Sequence, residues 1–248
     1  MKLKTLPLLL SRKLHSIPFV HNLLRDIYCL FRPGIRATVT KVFRKRGRIC
    51  VLKIGANDGL SGDPIAAILL QDRRYEGMLV EPLPQYAAQL KSVYGGTGRF
   101  EVVQAAISDL DGEVDIHFFD ESKTPDPHFP AWYREIASLD KTHLQKHMPA
   151  TLHGAISAKS VEALSVPTLL ERCGLQSVDL LHIDTEGYDY RILRQFDLRK
   201  LRTAVVIAEH KHLNAQDKTA MKTFLEDAGF SVRQLEADFL AVSPGCST

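Results

Sequence analysis

Cysteine is scarce in this 248-residue chain. The four cysteines are far apart and form no C-x-x-C pair: Cys29, Cys50, Cys173 and Cys246. This spacing argues against both a disulfide framework and a cysteine-based zinc site. Because structural disulfides are typical of oxidising compartments, their absence predicts a reducing, cytoplasmic location.

Long apolar runs are also missing. No segment reaches the length of a membrane span. The opening stretch MKLKTLPLLL resembles the start of a signal peptide, but its apolar part is short and no small-residue cleavage site follows. Internal repeats and low-complexity tracts are absent as well. With 45% hydrophobic and 25% charged residues, the composition is that of a globular protein with a full core.

Acidic residues are nearly absent from the N-terminal part. Residues 1–50 contain twelve Lys and Arg residues but one acid, Asp26, and apolar residues such as Leu23, Leu24 and Ile27 recur there at helical spacing. Two hypotheses follow: a helical extension packed on the domain, or an arm in peripheral contact with an anionic membrane. We favour the first, because basic amphipathic helices are common and non-specific. No nucleic-acid partner is expected.

Short apolar runs alternate with helical patterns from residue 49 onward, which is typical of a sheet built from βα units. The predicted strands are 49–54, 77–81, 100–107, 178–183 and 203–208, and the predicted helices are 63–73, 84–93, 166–173, 188–196 and 215–228. The last two runs, GFSVRQLEA and DFLAVSP, are too close for a crossing helix and predict an antiparallel pair at a sheet edge. Residues 120–160, rich in Pro, His and aromatic residues, predict a lid or substrate loop.

The stretch VLKIGANDGLSGDPI, residues 51–65, predicts a strand, a glycine loop and the start of a helix. Gly55 and Gly59 permit a sharp turn and the close approach of a ligand to the main chain. Asp63 followed by Pro64 is typical of a helix cap with proline at the first helical position. This geometry suits a cofactor-binding loop.

The glycine loop does not complete the dinucleotide fingerprint G-x-G-x-x-G. Asn57 stands at the middle glycine position and Leu60 at the third. The next predicted strand ends at Glu81, where a carboxylate can accept hydrogen bonds from both hydroxyls of a ribose. Together, the loop and the acid favour an adenosine-containing ligand without a pyrophosphate.

Two further predicted strands deliver polar side chains to the carboxyl edge of the sheet, where ligand sites of open α/β sheets lie. VDLLHIDTEGYDYRIL places Asp184 there, and AVVIAEHKHL places Glu209 and His210. These three are the predicted catalytic residues. They suit a Mg²⁺ or Mn²⁺ site or, alternatively, a His210 base oriented by a carboxylate. A purely structural role, with Asp184 and Glu186 capping the next helix, also stays open.

The sequence resembles the FkbM-type methyltransferases, S-adenosylmethionine-dependent enzymes of the seven-stranded Rossmann-like class. The matching segments, in order over about residues 49–243, are IGANDG, VEPLP, AAISDLDGE, VPTLLERCG, IDTEGYDYRIL and EHKHL. The resemblance implies an α/β, class I methyltransferase domain over residues 45–248 with sheet order 3-2-1-4-5-7-6. A basic helical extension over residues 1–44 precedes it.

The resemblance also implies a site for S-adenosylmethionine that includes Pro82, with Glu81 at the ribose. The other expected cofactor residues are Gly55, Ala56, Asn57 and Gly59 at the methionine part, Ala105, Ala106 and Ile107 beside the adenine, and Asp184. Lys53 departs from the family pattern, since many members have an acid two positions before the first glycine.

The implied reaction is methyl transfer to a hydroxyl of a small molecule or glycan. A nicotinamide-dependent (NAD) oxidoreductase on a related fold and a non-catalytic nucleotide-binding protein are the alternatives. The missing glycines and the lack of a Tyr-x-x-x-Lys pair argue against the oxidoreductase. The joint presence of Asp184, Glu209 and His210 argues against a silent binding protein.

Overall fold

The computed structural model describes residues 33–124 and 129–246, which form a main sheet of seven strands and a second sheet of four. The helices are α1 (Pro33–Val42), α2 (Ala66–Gln71), α3 (Pro84–Tyr94), α4 (Lys141–His147), α5 (Val166–Arg172), α6 (Asp189–Leu193) and α7 (Ala215–Asp227). The strands are β1 (Ile49–Ile54), β2 (Tyr75–Val80), β3 (Phe100–Val103), β4 (Ala106–Ile107), β5 (Gly112–Phe119), β6 (Ala137–Ser138), β7 (Ile156–Leu164), β8 (Leu180–Ile183), β9 (Val205–Glu209), β10 (Ser231–Gln234) and β11 (Asp238–Val242). Short 3₁₀ turns cover Gly95–Thr97, Glu121–Lys123, Ala131–Glu135, Ala150–Ala155 and Pro244–Cys246.

The main sheet runs β10-β11-β9-β8-β1-β2-β3. Numbered among themselves in chain order, its strands follow 3-2-1-4-5-7-6, so the expected order is confirmed. β11 pairs antiparallel with both β10 and β9, and the other pairings are parallel. The predicted antiparallel pair at one edge is therefore confirmed as well. The carboxyl ends of β1, β2, β8 and β9 meet at one edge.

Apolar clusters cover both faces of the main sheet. β1 contributes to both, with Val51 in one cluster and Leu52 in the other. Helix α1 buries Ile35 and Val39 completely in the first of these clusters. This part of the predicted basic extension is thus packed on the sheet.

The predictions for residues 1–32 lie outside the described residues, and the membrane-surface alternative stays a prediction. Within residues 33–124 and 129–246, no helix combines the length and apolar character needed to cross a membrane.

The predicted single strand over residues 100–107 is wrong. β3 ends at Val103, and Ala106–Ile107 forms β4, which leaves the main sheet to pair with β7 in the second sheet. The second sheet has the order β4-β7-β5-β6, and β5 and β7 pair antiparallel from Gly112↔Ala163 to Phe119↔Ile156. The predicted loop over residues 120–160 therefore contains β6, α4 and the first residues of β7.

Helix α2 begins three residues later than predicted. Asp63 Oδ1 accepts the backbone N–H groups of Ile65 and Ala66, at 2.8 and 3.2 Å. Asp63 thus accepts N–H groups at the start of the helix, but the N-cap residue is Ile65, so the predicted cap position is wrong by two residues. The proline that follows it lies before the first helical residue.

Gly77 marks a close contact between β1 and β2. A Cβ atom there would lie 2.0 Å from the carbonyl oxygen of Val51, and the φ angle of Gly77 is +142°. We expect Gly77→Ala to lower the free energy of unfolding by about 1–3 kcal/mol beyond its backbone strain, because the backbone of β1 must move. Denaturant titration measures this loss.

Gly112 provides the matched control. It has the same φ angle, yet a Cβ atom there meets nothing within 4 Å. Gly112→Ala therefore reports the backbone strain alone. Equal losses of stability in the two variants would contradict the assigned strand contact.

Candidate active site

The loop after β1 brings the main chain against the end of β8. Gly55 has a φ angle of +75°, and a Cβ atom there would lie 1.7 Å from the carbonyl oxygen of Asp184. The N–H groups of Gly55 and Ala56 both donate to the carbonyl oxygen of Val80, at 3.0 Å. Only glycine fits at this point, which fixes the loop between β2 and β8.

Gly59 serves packing against α3. Its φ angle is +76°, and a Cβ atom there would lie 2.5 Å from the side chain of Leu90 and 2.6 Å from that of Tyr94. The Tyr94 hydroxyl donates to the carbonyl oxygen of Gly59 at 2.8 Å. The second glycine of the motif thus lets the loop lie directly on the helix.

Glu81, at the end of β2, faces the glycine loop. Its two carboxylate oxygens accept the backbone N–H groups of Asn57 and Leu83, both at 2.9 Å. Burial raises the pKa of Glu81 to about 7, although the two hydrogen bonds and the charge of Lys53 oppose this rise. Each oxygen keeps capacity for a second hydrogen bond. The carboxylate is therefore oriented before any ligand binds.

A cavity opens at the carboxyl edge of the main sheet, between the glycine loop and the second sheet. Its lining includes nine of the ten expected cofactor residues: Gly55, Ala56, Asn57, Glu81, Pro82, Ala105, Ala106, Ile107 and Asp184. Gly59 is outside this lining. Ile116, Ala137 and Leu139 from the second-sheet region also line it. Part of the segment predicted as a lid thus faces the cavity.

A buried ion pair lies beside the glycine loop. Lys53 Nζ is 3.3 Å from Asp63 Oδ2, and both side chains are 4% exposed. Lys53 Nζ also lies 3.1 Å from His182 Nδ1. Its positive charge opposes the effect of burial on the pKa values of Glu81 and Asp184. The residue that departs from the family pattern is therefore a cation among buried carboxylates.

The turn after β8 holds three acidic side chains in different surroundings. Asp189 is fully buried and accepts the backbone N–H groups of Thr185 and Gly187, at 3.0 and 3.1 Å; burial raises its pKa to about 6. Asp184 lines the cavity, and burial followed by the charge of Glu186 raises its pKa well above the ordinary value. Glu186 has a φ angle of +55°, which costs a non-glycine residue about 1–3 kcal/mol. Asp189, rather than the other two acids, fixes the turn.

Glu186 also meets Glu209 and two histidines at the side of the cavity. Glu186 Oε2 lies 3.1 Å from His143 Nε2 of α4 and 3.2 Å from His212 Nε2, and His212 Nε2 lies 3.5 Å from Glu209 Oε1. Burial lowers the pKa of His212 to about 4, so its ring is neutral near pH 7. Burial, followed by the charges of Asp184 and Glu186, raises the pKa of Glu209 well above the ordinary value.

His210 is placed apart from this cluster. Its Nε2 lies 3.1 Å from the carbonyl oxygen of Leu235, and its ring centroid lies 4.4 Å from that of Phe239. The backbone N–H of His210 donates to the carbonyl oxygen of Ala237, which holds the residue towards β11. The structure thus places His212, and not His210, beside Glu209.

Three histidines of this region are not among the site residues predicted from the sequence: His143, His147 and His212. His143 and His147 are four residues apart in THLQKH and share one face of α4. That spacing is a usable signal only on a helix, whereas the sequence predicts a loop here. His212 lies in EHKHL, two residues after the predicted His210.

Comparison with known proteins gives a match over most of the chain. The family model for the methyltransferase FkbM domain matches residues 53–232. A curated relative, the 2-O-methyltransferase NoeI of Sinorhizobium fredii, is 28% identical over 145 residues, which are 58% of this chain and 55% of that protein. The chain thus spans about half the length of this relative.

Two solved structures are similar at low identity. Precorrin-6y C5,15-methyltransferase from Geobacter metallireducens has 14% identity and a TM-score of 0.43, with 84% of each chain covered. A SAM dependent methyltransferase from Aquifex aeolicus has 12% identity and a TM-score of 0.39, with 86% of this chain and 89% of that chain covered.

Substitution of the buried Lys53 tests its interaction with Asp63. We expect Lys53→Met to lower the free energy of unfolding by about 3–5 kcal/mol, because it leaves the Asp63 carboxylate buried without its partner. Asp63→Asn in the same chain should restore part of the loss. Denaturant titration of the single and double variants measures both effects, and additive losses would contradict the coupling of the two side chains.

Proposed function

The chain belongs to the FkbM methyltransferase family, and we propose that it transfers the methyl group of S-adenosylmethionine to a hydroxyl oxygen of a small molecule or glycan. The observation that carries this proposal is the cavity that has the oriented Glu81 carboxylate and Asp184 in one lining. The similarity to a 2-O-methyltransferase supports oxygen as the acceptor atom. Family membership does not favour the oxidoreductase or the non-catalytic alternative.

The cofactor is assigned to the cavity by its chemistry. Glu81 would accept hydrogen bonds from the ribose hydroxyls, and the apolar segment Ala105–Ile107 would hold the adenine. The main chain at Gly55–Asn57 would hold the methionine part. Asp184 and Glu186, the acidic side of the lining, would then attract the positively charged sulfonium. Opposite charge on that side favours the cofactor over its neutral, demethylated product.

The reaction requires a proton acceptor. The acceptor oxygen forms a bond to the methyl carbon as the carbon–sulfur bond breaks, and sulfur keeps the electron pair. The hydroxyl proton must also leave, and an alkyl or sugar hydroxyl does not ionise near neutral pH without a base or a metal ion. The base must therefore lie within reach of the methyl-bearing end of the cavity.

Asp184 is the proposed base. It lines the cavity, and its raised pKa makes its ionised form a stronger proton acceptor than an ordinary carboxylate. The charge of Lys53 helps to keep it ionised. A Mg²⁺ or Mn²⁺ ion on Asp184, Glu209 and His210 is the alternative, and the contacts of His210 with Leu235 and Phe239 favour the metal-free route.

Glu81→Gln tests the ribose assignment. We expect the variant to bind S-adenosylmethionine about 10–150-fold more weakly, since hydrogen bonds to a charged group contribute about 1.5–3 kcal/mol. Glu101→Gln, an exposed position on β3, is the matched control and should bind normally. Calorimetry measures the affinities, and NAD should not bind. Unchanged affinity in Glu81→Gln would remove the ribose assignment.

The affinity should also depend on pH through Glu81. The ribose hydroxyls donate to the ionised carboxylate, whereas below pH 7 the free protein carries this carboxyl protonated because its pKa is about 7. The affinity of the wild type should therefore fall as the pH drops below 7, by up to about tenfold per pH unit. Parallel pH profiles for the wild type and Glu81→Gln would contradict this.

Asp184→Asn tests the base. We expect kcat to fall about 10²- to 10⁴-fold, with a smaller change in the affinity for S-adenosylmethionine. The assay measures the demethylated cofactor formed with a panel of hydroxylated sugars and small molecules. Asp115→Asn, exposed on β5, is the control. Undiminished turnover in Asp184→Asn excludes this base, and restoration of chelated enzyme by Mg²⁺ would favour the metal route.

A further inference from the structure

Three histidines and two glutamates converge beside the cavity from two distant parts of the chain. One nitrogen from each of His143, His147 and His212 lies within 4.8 Å of the others, and one donor atom from each of Glu186, Glu209 and His212 does the same. The two groups share His212. We propose that these five side chains form a binding site for one divalent transition-metal ion.

The separations between donor atoms suit such an ion. Ligands that bind zinc at about 2.0–2.2 Å lie about 3.4 Å apart in a tetrahedral site. Glu186 Oε2 lies 3.1 Å from His143 Nε2 and 3.2 Å from His212 Nε2, and Glu209 Oε1 lies 3.5 Å from His212 Nε2. Three pairs of donor atoms are thus already near ligand spacing.

His147 adds a fifth donor from the same helix as His143. The centroid of its ring lies 4.7 Å from that of His143 and 4.9 Å from that of His212. Histidines at i and i+4 present their rings on one helix face, which is a recurring arrangement for zinc ligands. The proposed site therefore joins one helix to the segments that follow β8 and β9.

One carboxylate oxygen of this cluster is buried without a hydrogen-bond partner among the described residues. Glu209 is 7% exposed, and within the described part of the chain its Oε2 has no hydrogen-bond partner. A buried carboxylate oxygen without a partner is unfavourable. The nearby charges of Asp184, Glu186 and Asp189 add to the cost. A divalent ion would bind this oxygen and offset the accumulated negative charge.

The donor set selects the class of ion. Imidazole nitrogens suit zinc, iron, cobalt and nickel, whereas Mg²⁺ prefers oxygen ligands and retains water. This site differs from the oxygen-rich set expected for Mg²⁺, because α4 contributes two imidazoles. It would tie α4 to the ends of β8 and β9, next to the cavity that Glu186 also lines. The experiment that tests this site measures metal binding and does not depend on the methyl-transfer proposal.

Cobalt titration of the full chain tests the site. After removal of metals with a chelator, we expect the wild type to bind one Co²⁺ per chain, with visible absorption bands of nitrogen and oxygen ligation, and Zn²⁺ to displace it. The double variant His143→Ala/His147→Ala should bind at least about 10–100-fold more weakly. His117→Ala, a half-buried histidine on β5, is the matched control and should bind like the wild type.

Glu209→Gln keeps the size of the side chain and serves as the second variant, so that the test does not rest on the folding of the double variant. It should weaken Co²⁺ binding at least about tenfold while circular dichroism and thermal melting without metal show a folded protein. Absence of stoichiometric Co²⁺ or Zn²⁺ binding in the wild type would overturn the proposal. Equal affinity in the wild type and in Glu209→Gln would overturn it as well.

Discussion

Buried negative charge at the carboxyl edge of the main sheet is the constraint on which the site depends. Besides Asp63, the partner of Lys53, five carboxylates gather there: Glu81, Asp184, Glu186, Asp189 and Glu209. Burial disfavours the ionised forms and raises the pKa values of all but Glu186. Lys53, on β1, supplies one positive charge. The sulfonium of the proposed cofactor and the proposed metal ion would each add positive charge at this edge, where acidic side chains outnumber basic ones.

The close approach of Gly55 to Asp184 couples the two halves of the site. Because a Cβ atom at residue 55 would collide with the Asp184 carbonyl oxygen, only glycine lets the loop after β1 lie against the turn after β8. The loop also orients Glu81 through the N–H of Asn57. One backbone contact therefore helps to place the proposed ribose acceptor, the glycine loop and the proposed base around a common cavity.

The region of the second sheet completes the cavity and contacts the turn after β8. This region has a small apolar cluster of its own, which includes Phe119, Tyr133 and Leu144. Polar contacts join it to the turn after β8: the Ser138 hydroxyl donates to the Glu186 carbonyl oxygen at 3.1 Å, and His143 contacts the Glu186 carboxylate. A metal ion at this junction would strengthen the attachment of a region that also lines the cavity.

The sequence by itself determined the features that depend on neighbouring residues. The apolar run of β1, the glycine loop and the terminal antiparallel pair all follow from local pattern, and the ordered family motifs implied the strand order. Tertiary structure decided the rest. The break after Val103 depends on pairing between Ala106 and Ala163, far along the chain, and no local pattern encodes a distant partner.

Whether His210 or His212 lies beside Glu209 depends on the direction of each side chain, and the backbone hydrogen bond from His210 to Ala237 holds His210 towards β11. The meeting of α4 with the ends of β8 and β9 required the whole second sheet, because only long-range pairing carries those histidines to the acids.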